Sequence, residues 1–434
     1  MKILICKNTI SWHNDYDLFN KENYLKVKHT SGLTLIFNVM PEYNYTHAMI
    51  GVKYGSVNIE FKGAEDKEFT VVPQGIAHFL EHIMFENEDE ENALFKFSKT
   101  GAIANAQTGF NETSYLFSCS YNFKESLKIL LENITKPYFT KESIDREKDI
   151  IEKEIKMYED DPSWIGYISA LENLYHKIPL NDIAGTVESI KKITPELLYK
   201  CYDKFYNLNN MVLSIAGNFN IEDAIEIVDE VMKKSETLDV INKTYDEPSV
   251  SKIKKSTMRL ELSISTVVIA FKHKPSNTIK ENFELSFKYS ILNEILLGKA
   301  SRLFGELYQN EIIDKEVFVE VMNGNGYLNS IFSCETMYPN VINDSILNEI
   351  NIMKLQGISD DQFNSAKKSI YGEYIVDMDS PKKVATNNLY GHFDELDFKN
   401  WTDVILNTSK YELENLLKDN FSEDGYTFSV VNPI

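Results

Sequence analysis

Positive charge is in short supply in this chain: 45 Lys and Arg stand against 66 Asp and Glu, a formal net charge of −21. Nucleic acids and anionic membranes both call for a basic surface, so a general nucleic-acid binder and a membrane-docked protein are disfavoured. An acidic surface could attract basic peptides, but a solvated acidic exterior is the simpler account. Cysteine is scarce too. Cys6, Cys119, Cys201 and Cys334 are far apart and form no CxxC pair, which predicts reduced structural thiols. No apolar run reaches the ~18 residues that a spanning helix needs. The opening stretch MKILICKNTISW is apolar for only about four residues and carries no cleavage pattern, so no export signal is expected and a cytoplasmic protein is predicted.

What remains is a composition for folding. Of the 434 residues, 43% are hydrophobic, with 25 Phe and 24 Tyr. Wholesale disorder is excluded, and the length exceeds what one compact core serves, so two or more domains are expected. Alternating apolar stretches predict strands at 33–40, 47–55, 113–121 and 211–219, the last leading into the amphipathic helix IEDAIEIVDEVMKK. A polar stretch near 235–256 lacks periodicity and reads as a linker. Beyond it the pattern restarts with a strand at 260–273 and a long helix at 281–298 ending on a glycine. The closing YTFSVV echoes MVLSIAG. The expectation is a duplicated α+β unit, with domains at 1–234 and 257–434.

One pentad carries chemistry. Residues 78–82 read His-Phe-Leu-Glu-His. Positions i and i+4 share a helix face, so His78 and His82 offer two imidazole nitrogens to one zinc ion, with Glu81 beside them to take a proton from water. The order H-x-x-E-H is the inverse of the commoner metalloprotease motif. A catalytic zinc usually has three protein ligands, so an acid from a packed helix is expected. The segment EKDIIEKEIKMYEDDP offers Glu147 and Glu154, two turns apart on one face. One of these can ligate while the other orients a histidine ring. Glu152 and Glu159 point elsewhere, and a solvated face is the bland reading of any single glutamate here. His13, His29, His47, His176, His273 and His392 have no ligand spacing.

These residues resemble the insulinase-like, or pitrilysin-type (M16), zinc peptidases. GIAHFLEHIMFE is similar to that family's metal helix, TGAIANAQTGFNETSYLFS to its substrate-binding strand, and EKDIIEKEIKMYEDDP to the helix with the third ligand. NDIAGTVESIKKIT and FYNLNNMVLSIAGNF continue the likeness. The resemblance implies zinc on His78, His82 and Glu154, with Glu81 as general base and Glu147 as the orienting acid. It also implies that peptide substrate pairs along Ala102, Asn105 and Ala106. It implies two similar domains, each a mainly antiparallel sheet flanked by helices, forming half of a clamshell, and a zinc metalloendopeptidase acting on unstructured peptides. The likeness departs from the family in the second half. A G-x-x-S-R-L-F stretch is normally followed by an Arg and a Tyr that face a zinc site. Here Gly298, Ser301, Arg302, Leu303 and Phe304 are kept, but Tyr308 and Lys315 stand at the Arg and Tyr positions. That implies a second, M16-like subunit supplying the pair. The competing readings are a non-catalytic peptide-binding subunit, which typically loses metal-helix residues, and a zinc hydrolase of another kind. The acid run Glu86–Glu91 reads as a solvated loop.

Overall fold

The computed structural model describes residues 10–11, 24–88, 92–235, 239–315 and 317–434. Cys6, His13 and the later part of the acid run (89–91) lie outside them. The chain is α+β. Its first large sheet has seven strands, in the spatial order Ile10–Ser11, Tyr24–His29, Thr34–Val39, Met211–Gly217, Thr46–Val52, Thr113–Cys119 and Ile103–Thr108. The second has five, in the order Lys255–Leu260, Tyr426–Pro433, Ser265–Lys272, Tyr327–Thr336 and Phe318–Gly324. The predicted strands therefore form, each shorter than its apolar run by a few residues.

The echo between the halves is topological. In the first sheet, Met211–Gly217 runs parallel to Thr34–Val39 and antiparallel to Thr46–Val52. In the second, Tyr426–Pro433 runs parallel to Lys255–Leu260 and antiparallel to Ser265–Lys272. In both, an antiparallel hairpin completes the open edge, Ile103–Cys119 in one and Phe318–Thr336 in the other. The central strands are buried on both faces, so they read as continuous apolar runs rather than alternating ones.

The halves interlock through exchanged helices. Helix Pro162–Leu174, from the first half, packs on the second sheet, and helix Pro381–Phe393, from the second, packs on the first. Ile36, Met49, Val212 and Ala216 of the first sheet thereby share a core with Val384, Ala385 and Leu389. The opposite face of that sheet is covered by the helices that build the site described below. The polar stretch 235–256 holds a short strand, Val240–Asn242, paired with Glu60–Gly63. It also carries Glu247, which forms a buried ion pair of 2.7 Å with Lys272 and accepts the backbone N–H groups of His176, Lys177 and Ile178. No helix among the described residues is long and apolar enough to cross a membrane.

Candidate metal centre

Packing fixes the start of helix Ile76–Ile83. Gly75 adopts φ +84°, and a Cβ there would lie 2.3 Å from the Ala184 carbonyl oxygen. Only glycine fits both constraints. The segment 181–189 straps this helix start, with the Ser189 hydroxyl donating to the Gln74 carbonyl at 2.8 Å. Ile76, Ala77, Phe79, Leu80 and Ile83 enter the core. His78 and His82 then share the face turned towards helix Lys141–Glu159, which packs against it.

That second helix starts at a capping box between Thr140 and Ser143. Its buried stripe is Ile144, Glu147, Ile151 and Ile155. Glu147 is a carboxylate in an otherwise aliphatic row, and a buried charge of this kind calls for a polar partner. His82 supplies it: Nδ1 lies 2.8 Å from Glu147 Oε1. A proton on Nδ1 leaves the Nε2 lone pair of His82 free for a ligand. His82 Nε2 stands 3.4 Å from Glu154 Oε2, and His78 Nε2 stands 3.7 Å from Glu154 Oε1.

These separations fit a metal better than direct hydrogen bonding. Two donors about 2.05 Å from a tetrahedral zinc stand roughly 3.3–3.4 Å apart, beyond the ~2.7–3.2 Å of a hydrogen bond. His78, His82 and Glu154 form the one group of metal-binding side chains found among the described residues, with candidate ligand atoms within 4.8 Å of one another. Glu152 is spent on a 2.7 Å ion pair with Lys156, and Glu159 is exposed. The remaining described histidines are engaged elsewhere or lie apart: His29 pairs with Asp229, His47 with Ser118 and His273 with Ser330.

Burial, and secondarily its neighbour His82, push His78 down to about 3, so its ring is neutral at any ordinary pH. Its Nδ1 is buried without a hydrogen-bond partner among the described residues. Burial also opposes charge on His82, but the carboxylates of Glu147, Glu81 and Glu154 together outweigh it and raise its pKa. Glu81 is only 8% exposed. Burial raises its pKa, against the pull of His82 and a hydrogen bond from Thr108. Glu154 is raised as well, chiefly by burial.

Strand Ile103–Thr108 lies at the open edge of the large sheet, so one side of its backbone is unpaired within the sheet. Ile103, Asn105 and Gln107 are exposed, while Ala104, Ala106 and Thr108 face inward. Asn105 and Ala106 thus sit mid-edge. Ala102 precedes the strand, buried in the core, with its N–H facing the Thr100 hydroxyl. Thr108 reaches Glu81: its hydroxyl donates to Glu81 Oε2 at 2.9 Å. Alternation along ANAQT places Thr108 on the helix side of the strand, a signal legible in the sequence but carrying no role until the contact is seen. In the second half, Tyr308 is exposed and stacks on Phe304. Lys315 pairs with Glu335 at 3.0 Å, and Arg302 pairs with Glu306 and Glu349.

The family model described as Insulinase (Peptidase family M16) matches residues 70–179, and that described as Peptidase M16 inactive domain matches residues 192–370. The uncharacterized zinc protease YmfH of Bacillus subtilis (strain 168) is 31% identical over 421 residues, covering 95% of this chain and 97% of that protein. The crystal structure of a protein described as an M16-like peptidase, from Alicyclobacillus acidocaldarius, superposes with a TM-score of 0.91 at 27% identity, covering 95% of this chain and 98% of the other. Pitrilysin superposes with a TM-score of 0.73 at 14% identity, over 98% of this chain but only 46% of its own length.

Proposed function

The chain belongs to the insulinase family of peptidases, M16, and from that premise we propose that it is the catalytic subunit of a zinc metalloendopeptidase. The observation that carries this reading is the convergence of His78, His82 and Glu154 from two helices, with Glu81 buried between them and the open sheet edge. His78, His82 and Glu154 would hold the ion, and Glu147 would fix the ring of His82. A bound zinc supplies Lewis acidity that activates water and polarises a carbonyl oxygen. Glu81 accepts a proton from the attacking water and returns it to the leaving amine. Burial raises its pKa, which favours taking up that proton. The neutral His78 ring needs no deprotonation to ligate.

The substrate would be an unstructured peptide that adds as a further strand along Ile103–Thr108, with Asn105 and Ala106 beside its backbone. Main-chain pairing selects for extendability over sequence. Oligopeptides and the leaders of modified peptides both qualify, and a folded protein does not. The proposed setting is the cytoplasm, with chemistry in 1–234, a linker at 235–256 and a facing wall in 257–434. A second M16-like subunit would bring the Arg and Tyr absent here at Tyr308 and Lys315. Tyr308 stacked on Phe304 and Lys315 held by Glu335 have partners of their own, which supports a heterodimer over a self-complementing pair.

The deciding experiment purifies the chain alone and with its companion from the native host, loads zinc and digests a quenched-fluorescent peptide mixture. Turnover is expected from the complex, lost in Glu81→Gln with zinc retained, and absent in His82→Ala with zinc lost. Equal zinc content in wild type and His82→Ala defeats the metal assignment. Full turnover by the lone chain defeats the heterodimer.

A further inference from the structure

We infer that Thr108 is a positioning residue for Glu81, so that docking a peptide strand and aiming the base depend on one backbone segment. The inference rests on the peptidase reading above. The Thr108 hydroxyl donates to Glu81 Oε2 at 2.9 Å. The neighbouring hydroxyl, Thr113 Oγ1, is 3.5 Å away and donates at the shorter 2.9 Å to the Tyr54 carbonyl, so Glu81 Oε2 is the nearer partner of the Thr108 hydroxyl. With Oε2 occupied, the carboxylate is turned so that Oε1 is the oxygen left for an incoming proton. A free carboxylate on a two-torsion stem would otherwise sample several orientations.

The hydroxyl sits on a held element. Thr108 closes the strand opposite Thr113, and both of its chain neighbours are tied down. On one side, Gln107 Nε2 lies 3.0 Å from the Tyr390 hydroxyl of the exchanged helix. On the other, the Gly109 carbonyl accepts from Ser56 N–H at 3.0 Å, and the Phe110 carbonyl from Val57 N–H at 3.1 Å. At the tip of the hairpin, Asn111 donates to the Asn323 carbonyl and accepts from the Tyr327 hydroxyl, each at 3.0 Å. The second half therefore fixes the hairpin that delivers Thr108, and a site is most exact when its supporting groups stand on such rigid elements.

The test compares Thr108→Val, which keeps the β-branched shape without the hydroxyl, with Thr108→Ser, which keeps the hydroxyl. Both are assayed in the zinc-loaded complex with the quenched-fluorescent peptide mixture. A hydrogen bond to a charged group is worth enough to cost Thr108→Val about 10- to 100-fold in kcat, with KM and zinc affinity unchanged. Thr108→Ser should recover to within about threefold of wild type. As a readout independent of turnover, Thr108→Val and Glu81→Ala should be non-additive in the urea unfolding midpoint of the zinc-loaded protein. Undiminished kcat in Thr108→Val, a loss confined to KM or zinc affinity, failure of Thr108→Ser to recover, or additive midpoints would each overturn the inference. The two failures are distinguishable: a wild-type complex as inactive as Glu81→Gln sinks the peptidase reading, whereas activity lost in Glu81→Gln but kept in Thr108→Val sinks this inference alone.

Discussion

Replacing Glu147 by Gln isolates what a single buried charge contributes to the metal centre. Glu147 is 8% exposed and accepts from His82 Nδ1 at 2.8 Å. Gln is nearly isosteric, and its carbonyl oxygen can still accept that hydrogen bond, so ring orientation and tautomer survive. What is lost is negative charge next to the imidazole. A charge-assisted hydrogen bond contributes about 1.5–3 kcal/mol and a neutral one about 0.5–1.5, so the difference is on the order of 1.4 kcal/mol, or tenfold in affinity. Glu147→Ala also releases the ring and leaves His82 Nδ1 without its partner, and the loss should approach 100-fold, the upper end for groups that orient a metal ligand. Competition against a chromophoric zinc chelator measures both. The ordering wild type, then Gln, then Ala is the diagnostic feature, since a purely steric role would leave Gln near wild type. Zinc affinity within about twofold of wild type in both variants would falsify the assignment of Glu147 as the residue that orients His82.

Three further outcomes concern residues other than the metal-site side chains. Lys272→Met should destabilise the fold by about 3–5 kcal/mol in urea unfolding, because Glu247 would be left charged without its cation in a site where both side chains are at most 6% exposed; a change below about 1 kcal/mol would show that the pair is not buried as described. Gly75→Ala forces a side chain into a left-handed backbone against the Ala184 carbonyl, so a cost of roughly 1–3 kcal/mol and weaker zinc retention are expected, and an unchanged melting temperature with full zinc would contradict this. The third outcome concerns pH: burial, with a contribution from Lys382, lowers His47 to about 4, and burial lowers His273 to about 3. Both folded values lie below the unfolded ~6.5, so the unfolded state binds more protons under pH 6.5 and stability falls with acidification. Between pH 7 and pH 5 each should remove roughly 2 kcal/mol, and a double variant with both replaced by Asn that keeps the wild-type pH slope would refute the attribution.

Much of this architecture could be read from the residues because the periodic signals were unopposed. Thr46–Val52 and Met211–Gly217 are apolar along their length because they lie in the middle of a sheet covered on both faces. The His78/His82 spacing and the Glu147/Glu154 spacing each name a helical face, and facing helices bring the four side chains together. Long-range exchange was not legible. Nothing local in Pro162–Leu174 or Pro381–Phe393 says that each helix packs on the other half's sheet. The stretch 235–256 reads as a linker in the sequence, and what order it has comes from distant partners: Glu60–Gly63 for the strand Val240–Asn242, and Lys272 for Glu247. The contact between Thr108 and Glu81 was hidden for the same reason, since it depends on how a hairpin lies over a helix.

The internal repeat gives the candidate metal site a counterpart position in the second half. Counting from the strands Thr46–Val52 and Ser265–Lys272, both halves run through two helices, a hairpin and five α-helices before returning to the sheet, the first half adding the short strands Glu60–Gly63 and Thr70–Val71 before its helices. Helix Ile279–Leu297 therefore precedes its hairpin as the histidine helix precedes its own, and Asp360–Met378 follows as Lys141–Glu159 does. Neither second-half helix contains a histidine. Glu294 and Glu373, one from each, are instead close enough that burial and Glu294 raise the Glu373 carboxyl, while Lys299 opposes the shift. These two carboxylates offer no imidazole nitrogen to a zinc ion. The scaffold can bring side chains from two helices together in either half. Among the described residues, only the first half puts donors there that suit zinc, and it also sets Glu81 against a strand whose other edge is open.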